Sequence, residues 1–91
     1  MTIHIKLITP ITATGLRKSE HLDILTSGEL KVSASQIEMG PNSIECEYEE
    51  AMSQPGTILK IIEAEKEGCD AVVIDCMGDP GLQGARECVS I

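Results

Sequence analysis

The sequence has almost no aromatic residues: tryptophan and phenylalanine are absent, and Tyr48 is the one tyrosine. It is also poor in basic residues, with seven lysines and arginines against 15 acidic residues and a net charge of −8. Nucleic-acid binders need positive charge against the phosphates, and those that hold single strands also stack bases on aromatic rings. We therefore expect no nucleic-acid partner.

Long hydrophobic runs are missing as well, and a membrane-spanning helix needs roughly 18 or more consecutive apolar residues. The segment from Met1 to Ile8 carries no basic leader before its apolar residues, and it favours a β-strand over a secretory signal. The sequence thus predicts a cytoplasmic protein with no membrane partner.

Cysteines in metal-binding pairs are also lacking. The four cysteines, Cys46, Cys69, Cys76 and Cys88, form no C-x-x-C pair, and the chain has only two histidines to assist them. A metal site is therefore not expected. Because nothing in the sequence points to secretion, we expect all four thiols to be reduced.

The composition that remains is typical of a globular chain. Apolar residues make up 42% of the 91 residues and charged residues 24%. A chain of this length forms one small domain that buries roughly 60–65% of the surface exposed by its unfolded form. We therefore treat residues 1–91 as a single domain.

Strand-like and helix-like segments alternate along the chain. The apolar and turn patterns predict strands over residues 3–8, 31–39 and 69–75. They predict helices over residues 14–27, 55–67 and 80–88, the second started by Pro55-Gly56 after an acidic segment. The order β-α-β-α-β-α is typical of an α/β protein with a parallel sheet and right-handed crossovers, built as a three-layer α-β-α half-domain.

The residues around Cys76 are the strongest candidate for a functional site. An apolar strand ends at this thiol, at the sheet edge where α/β proteins bind ligands. We interpret Asp79 as a helix N-cap and Pro80 as the first helical residue, so that the helix amides would face the thiol. Such amides lower thiol pKa values and bind anions. Asp75 should point to the opposite face of the sheet, and the alternative for Cys76 is a buried structural thiol.

Other notable residues have simpler interpretations. Cys46, Cys69 and Cys88 are expected to be inert packing residues, and Tyr48 to pack against a helix. The acidic run of residues 45–50 should be a solvated face. His4 and His21 are interpreted as surface or strand residues, and the predicted core of the second helix consists of Ile58, Leu59, Ile61 and Ile62.

Several segments together resemble the aspartate/glutamate/hydantoin racemase family, and most closely its hydantoin and allantoin racemase branch. The resemblance covers essentially the whole chain, and its most specific part is Cys76 followed by Gly78-Asp79-Pro80-Gly81-Leu82. The segments that carry it are Leu7–Thr12, Gly40–Glu45, Tyr48–Ala51, Pro55-Gly56, Gly68–Leu82 and Ala85–Glu87.

The resemblance implies a cofactor-independent enzyme with two similar α/β halves facing each other across a cleft, of which this chain resembles the amino-terminal half. Each half would supply one cysteine: one removes the proton from the α-carbon and the other returns one to the opposite face. By this correspondence Cys76 is the first catalytic cysteine. The small-molecule substrate would be a carboxylate or a hydantoin-like ring, and its contacts would come from Thr9, Pro10, Thr12, Met77, Gly78 and Asp79.

One departure affects the substrate. The family's first loop usually reads Asn-Pro-Asn-Thr, whereas this chain has Thr9-Pro10-Ile11-Thr12. Ile11 cannot donate a hydrogen bond, so the identity of the substrate stays open. The apolar end of the chain at Ile91 suggests a partial chain, and an unfinished sheet edge favours a homo-oligomer.

Two further functions remain open on the sequence. A small-anion binding module could use residues 78–81 without turnover. A decarboxylase-like relative would need only the Cys76 thiol, which would protonate the carbon left after loss of carboxylate.

Overall fold

The computed structural model describes residues 2–91 and has the predicted order of elements. Its strands and helices are β1 (Ile3–Thr9), α1 (Ser19–Leu25), β2 (Leu30–Gln36), α2 (Glu47–Lys66), β3 (Ala71–Ile74) and α3 (Leu82–Arg86). The α/β class and the parallel sheet are confirmed.

The three strands form one parallel sheet in the order β2-β1-β3. In its register Ile5 lies opposite Val32 on one side and Ala71 on the other. The chain moves from β1 to β2 in one direction and then crosses β1 to reach β3 in the other. Right-handed crossovers therefore place α1 and α2 on opposite faces of the sheet.

The core lies between the sheet and the two later helices. Ile8, Ile61 and Ala85 are buried together, and the partly buried residues packed against them are Ile58, Val72, Ile74 and Val89. Two predictions about packing are wrong, because Leu59 is 62% exposed and Tyr48 is 73% exposed. Both lie on the solvent side of α2, while Ile61 is only 1% exposed.

The first helix is shorter than residues 14–27. It covers Ser19–Leu25, contains no buried residue and contacts β2. The residue before it, Lys18, has no side-chain oxygen with which to cap the first turn. The polar segment before α1 therefore stays in a loop, and this loop reaches the site described below.

The second helix begins eight residues before Pro55, so the prediction of a helix start at Pro55-Gly56 is wrong. Three glutamates, Glu47, Glu49 and Glu50, lie in its first turn, where negative charge stabilises the amino end of a helix. The acidic segment is thus part of α2, and Pro55 lies inside the helix. Proline lacks an N–H, so the helix loses one backbone hydrogen bond at this position.

The third helix also begins later than predicted. Asp79 has φ of 47° and Gly81 has φ of 83°, both in the left-handed region, and α3 begins at Leu82 with Gly81 as its N-cap. Asp79 is therefore not the N-cap, and Pro80 lies in a turn before the helix. The helix start expected at Asp79-Pro80, whose amides were to face the thiol, is therefore not formed.

Among residues 2–91, no helix combines the length and apolar character needed to cross a bilayer.

Candidate functional site

An open pocket lies at the carboxyl ends of β1 and β3. It has a volume of about 360 Å³ and is lined by Thr9, Pro10, Ile11, Leu16, Arg17, Ile44, Asp75 and Cys76. Connections leave β1 and β3 towards opposite sides of the sheet, and this reversal creates the crevice in which α/β proteins bind ligands. The fold therefore places Cys76 at the sheet edge expected from the sequence.

Cys76 is held by a tight turn directly after β3. Its amide donates to the carbonyl of Ile74 at 2.8 Å, and its own carbonyl accepts from the amide of Asp79 at 3.2 Å. The residue is half-buried and its thiol is free. The alternative of a fully buried structural thiol is therefore wrong: Cys76 lines a pocket that is open to solvent.

Asp75 lines the same pocket, contrary to the prediction that it points away. Arg17 draws it there with two parallel hydrogen bonds, from Nε to Oδ2 at 2.5 Å and from Nη2 to Oδ1 at 2.8 Å. The Arg17 hydrogen bond is the main reason that the pKa of Asp75 is lowered, and the same bond raises the pKa of Arg17. Asp75 is thus a carboxylate at neutral pH, neutralised by its partner.

Arg17 was missed by the sequence interpretation. It lies in the loop before α1, a segment expected to be helical, where it would have been one more surface cation. The available signal was an arginine in the connection between β1 and α1, in a chain with only seven basic residues. Its partner Asp75 is 58 residues away in the sequence, so this pair could not be predicted from the position of Arg17.

Of the predicted substrate contacts, Thr9 and Pro10 lie with Cys76 in the pocket. Both are buried: Thr9 is the last residue of the central strand β1, and Pro10 follows it directly. The first loop and the end of β3 are therefore brought together, as the resemblance implied.

Thr12, Met77, Gly78 and Asp79 do not line the pocket wall. The Thr12 amide donates to the carbonyl of Pro41 at 2.9 Å, which ties this loop to the segment before α2. Met77 is fully exposed, and Asp79 lines a separate groove beside α3. Contact of these residues with a substrate stays a prediction.

The other three cysteines lie away from the pocket. Cys69 is buried as expected, with its sulfur 3.6 Å from Nδ1 of His4 near the amino end of β1. Cys46 and Cys88 are exposed, so the prediction that they pack in the interior is wrong. In the part of the chain that the structure describes, no group of three or more His, Cys, Asp or Glu side chains is placed to hold a metal ion.

Comparison with known proteins gives consistent results. The family model described as Asp/Glu/Hydantoin racemase matches residues 17–91. The chain is 45% identical over 85 residues to a hydantoin racemase from Pseudomonas sp. (strain NS671), covering 91% of this chain and 34% of that protein. A hydantoin racemase from Rhizobium meliloti is 40% identical over 87 residues, covering 93% of this chain and 36% of that protein.

A solved structure, that of allantoin racemase from Klebsiella pneumoniae, superposes with a TM-score of 0.85 at 28% identity, covering 94% of this chain and 36% of that one. The chain thus spans about a third of the length of the relatives it matches. The matching family model covers the pocket residues from Arg17 to Cys76. This chain therefore belongs to the Asp/Glu/hydantoin racemase family.

Proposed function

We propose that this chain supplies one half of a cofactor-independent racemase site, in which the Cys76 thiol exchanges a proton with a carbon next to a carbonyl. The substrate would be a hydantoin-like ring or an amino-acid derivative. The similarity to hydantoin racemases and to an allantoin racemase supports the reaction class. The relatives are longer than residues 1–91, so racemase activity of the whole protein is also part of this proposal.

The observation that carries the proposal is the position of Cys76. It is the one cysteine that lines the pocket at the ends of β1 and β3. The pocket wall is mainly aliphatic, from Ile11, Leu16 and Ile44, with the polar groups of Thr9 and Asp75 beside the thiol. An apolar wall with a few polar groups is typical of small-molecule sites.

In the proposed step the Cys76 thiolate takes the α-proton, forming an S–H bond. The electron pair of the broken C–H bond moves into the neighbouring carbonyl, giving an enolate. Return of the proton to the same face regenerates the substrate, whereas protonation from the opposite face inverts it. Inversion therefore needs a second acid, which we assign to a chain segment outside residues 1–91 or to a second copy of this chain.

Proton exchange tests the proposal without requiring that second acid. The chain is incubated with 5-benzylhydantoin in D2O, and loss of the C5 proton signal is followed by NMR. A positioned general base contributes about 10²–10⁴-fold. Exchange above the uncatalysed rate should therefore be lost in Cys76→Ser and retained in Cys88→Ser, which removes an exposed thiol outside the pocket.

Equal exchange rates for the wild-type chain and Cys76→Ser would contradict the proposal. Binding of the hydantoin without any exchange would favour the binding-module alternative. Release of carbon dioxide from an aryl-substituted malonate, dependent on Cys76, would favour the decarboxylase-like alternative.

A further inference from the structure

Arg17 turns its two-nitrogen edge towards Asp75. Nε and Nη2 are both occupied by the two carboxylate oxygens, at 2.5 and 2.8 Å. The third nitrogen, Nη1, takes no part in this pair. Because Arg17, Asp75 and Cys76 line one pocket, the charge and the free hydrogen-bond donors of this guanidinium affect any ligand that binds beside the thiol.

Pairing with a carboxylate changes which ligands the guanidinium of Arg17 attracts. Asp75 accepts from two of the five N–H donors of Arg17, so donors remain for a ligand, but the Asp75 carboxylate already balances the positive charge of the guanidinium. A ligand carboxylate would also approach the negative charge of Asp75 in a chain whose net charge is −8. A carbonyl oxygen carries no net charge, so it can accept from the remaining N–H donors of Arg17 without that repulsion.

We propose that Asp75 is a specificity-determining residue. By neutralising the guanidinium charge of Arg17, it makes the Cys76 pocket accept an uncharged ring carbonyl and reject a free carboxylate of similar size. The inference deepens the proposed function, since it takes the Cys76 pocket as the substrate site. It selects the hydantoin-like class over free amino-acid carboxylates.

The test compares two ligands that differ mainly in this group, 5-benzylhydantoin and N-carbamoyl-phenylalanine, its ring-opened carboxylate. Each is used at pH 7.5 to protect Cys76 from iodoacetamide, and modification at Cys76 is read by tandem mass spectrometry. Cys88 serves as an internal reference because it is exposed and lies outside the pocket. The readout measures binding and needs no turnover.

The wild-type chain should be protected by the hydantoin at lower concentration than by the carboxylate. Asp75→Asn leaves the positive charge of Arg17 without a counter-charge, so protection by the carboxylate should improve by about tenfold or more, the size of a charge-assisted hydrogen bond. Adding Arg17→Ala to Asp75→Asn should abolish that gain. Asp75→Ser, also checked for folding by circular dichroism, provides a second removal of the charge.

An unchanged ligand preference in both folded Asp75 variants would overturn the inference, and so would a gain that persists without Arg17. Absence of protection of the wild-type chain by the hydantoin would overturn it as well. These outcomes are separable from failure of the proposed function, because a chain that binds selectively but exchanges no proton keeps the inference and loses the catalytic role of Cys76.

Discussion

Replacement of Asp75 by asparagine should destabilise the chain more at neutral pH than at acid pH. The substitution keeps the shape of the side chain and removes the charge that faces Arg17. The side chains of Asp75 and Arg17 are 24% and 43% exposed, so solvent screens their attraction. Screened pairs of good geometry contribute about 0.5–1 kcal/mol to the free energy of unfolding.

The pH dependence follows from the direction of the pKa shift. The pKa of Asp75 is lowered in the folded chain, chiefly by the Arg17 hydrogen bond. The stabilisation is therefore complete above the unfolded value of about 3.9 and is lost as the pH falls through the lower, folded value. The difference between wild type and Asp75→Asn should be full at pH 7 and smaller at pH 3.

Urea unfolding followed by far-UV circular dichroism is the suitable assay, because the chain has no tryptophan and its one tyrosine is exposed. For a small protein the expected loss shifts the midpoint by about 0.3–1 M urea. Glu38→Gln is the control: it also removes one negative charge from an ion pair, with Lys60, but its side chain is 80% exposed. Equal midpoints for wild type and Asp75→Asn at pH 7, or a difference that persists undiminished at pH 3, would refute the reasoning.

Two further predictions concern packing beneath the site. Ile61→Ala should lower the free energy of unfolding by about 2–5 kcal/mol because Ile61 is 1% exposed. Leu59→Ala, at a 62% exposed position, should change it by about 0.5 kcal/mol or less. Both are measured by urea unfolding, and equal effects would contradict the assigned face of α2. Gly56→Ala should destabilise the chain by about 1 kcal/mol or more because its new methyl group would lie 3.0 Å from both Cβ of Ile37 and the carbonyl oxygen of Met39. The control is Gly28→Ala, whose methyl group meets no atom within 4 Å. A thermal melt in which Gly56→Ala is the more stable of the two variants would show that α2 and the segment before it are not in this contact.

The order of elements could be predicted because it depends on local patterns. The β-prone run of β1 is closed by Pro10, and the apolar run of β3 is closed by Cys76, so both strand ends were visible in the sequence. Parallel pairing then brings those two ends to one edge. This is why Thr9, Pro10 and Cys76 could be placed together in advance.

Helix boundaries were harder to predict because neighbouring residues and tertiary packing overrode the local sequence signals. Pro55 normally favours a helix start, but the glutamates upstream and the packing of Ser53, Thr57 and Ile61 extend α2 through it. Asp79 precedes a proline and would suit an N-cap, yet its left-handed conformation makes it part of a turn. Both errors concern residues whose preferred positions in turns and helices overlap.

The charge partner of Asp75 could not be predicted for a different reason. Alternation along a strand predicts the face of a side chain only while the strand continues, and β3 ends at Ile74. Arg17 then determines where the carboxylate lies, through a contact between loops far apart in sequence. Single-sequence patterns carry no information about such pairs.

The most direct test of the role of Cys76 follows the C5 hydrogen of each enantiomer of 5-benzylhydantoin separately in D2O. In a single copy of the chain one thiol reaches one face of the ring. For the monomer the account therefore predicts faster exchange of one enantiomer, with deuterium incorporated at retained configuration and the preference lost in Cys76→Ser. Identical rates for the two enantiomers, or a preference that survives Cys76→Ser, would contradict it.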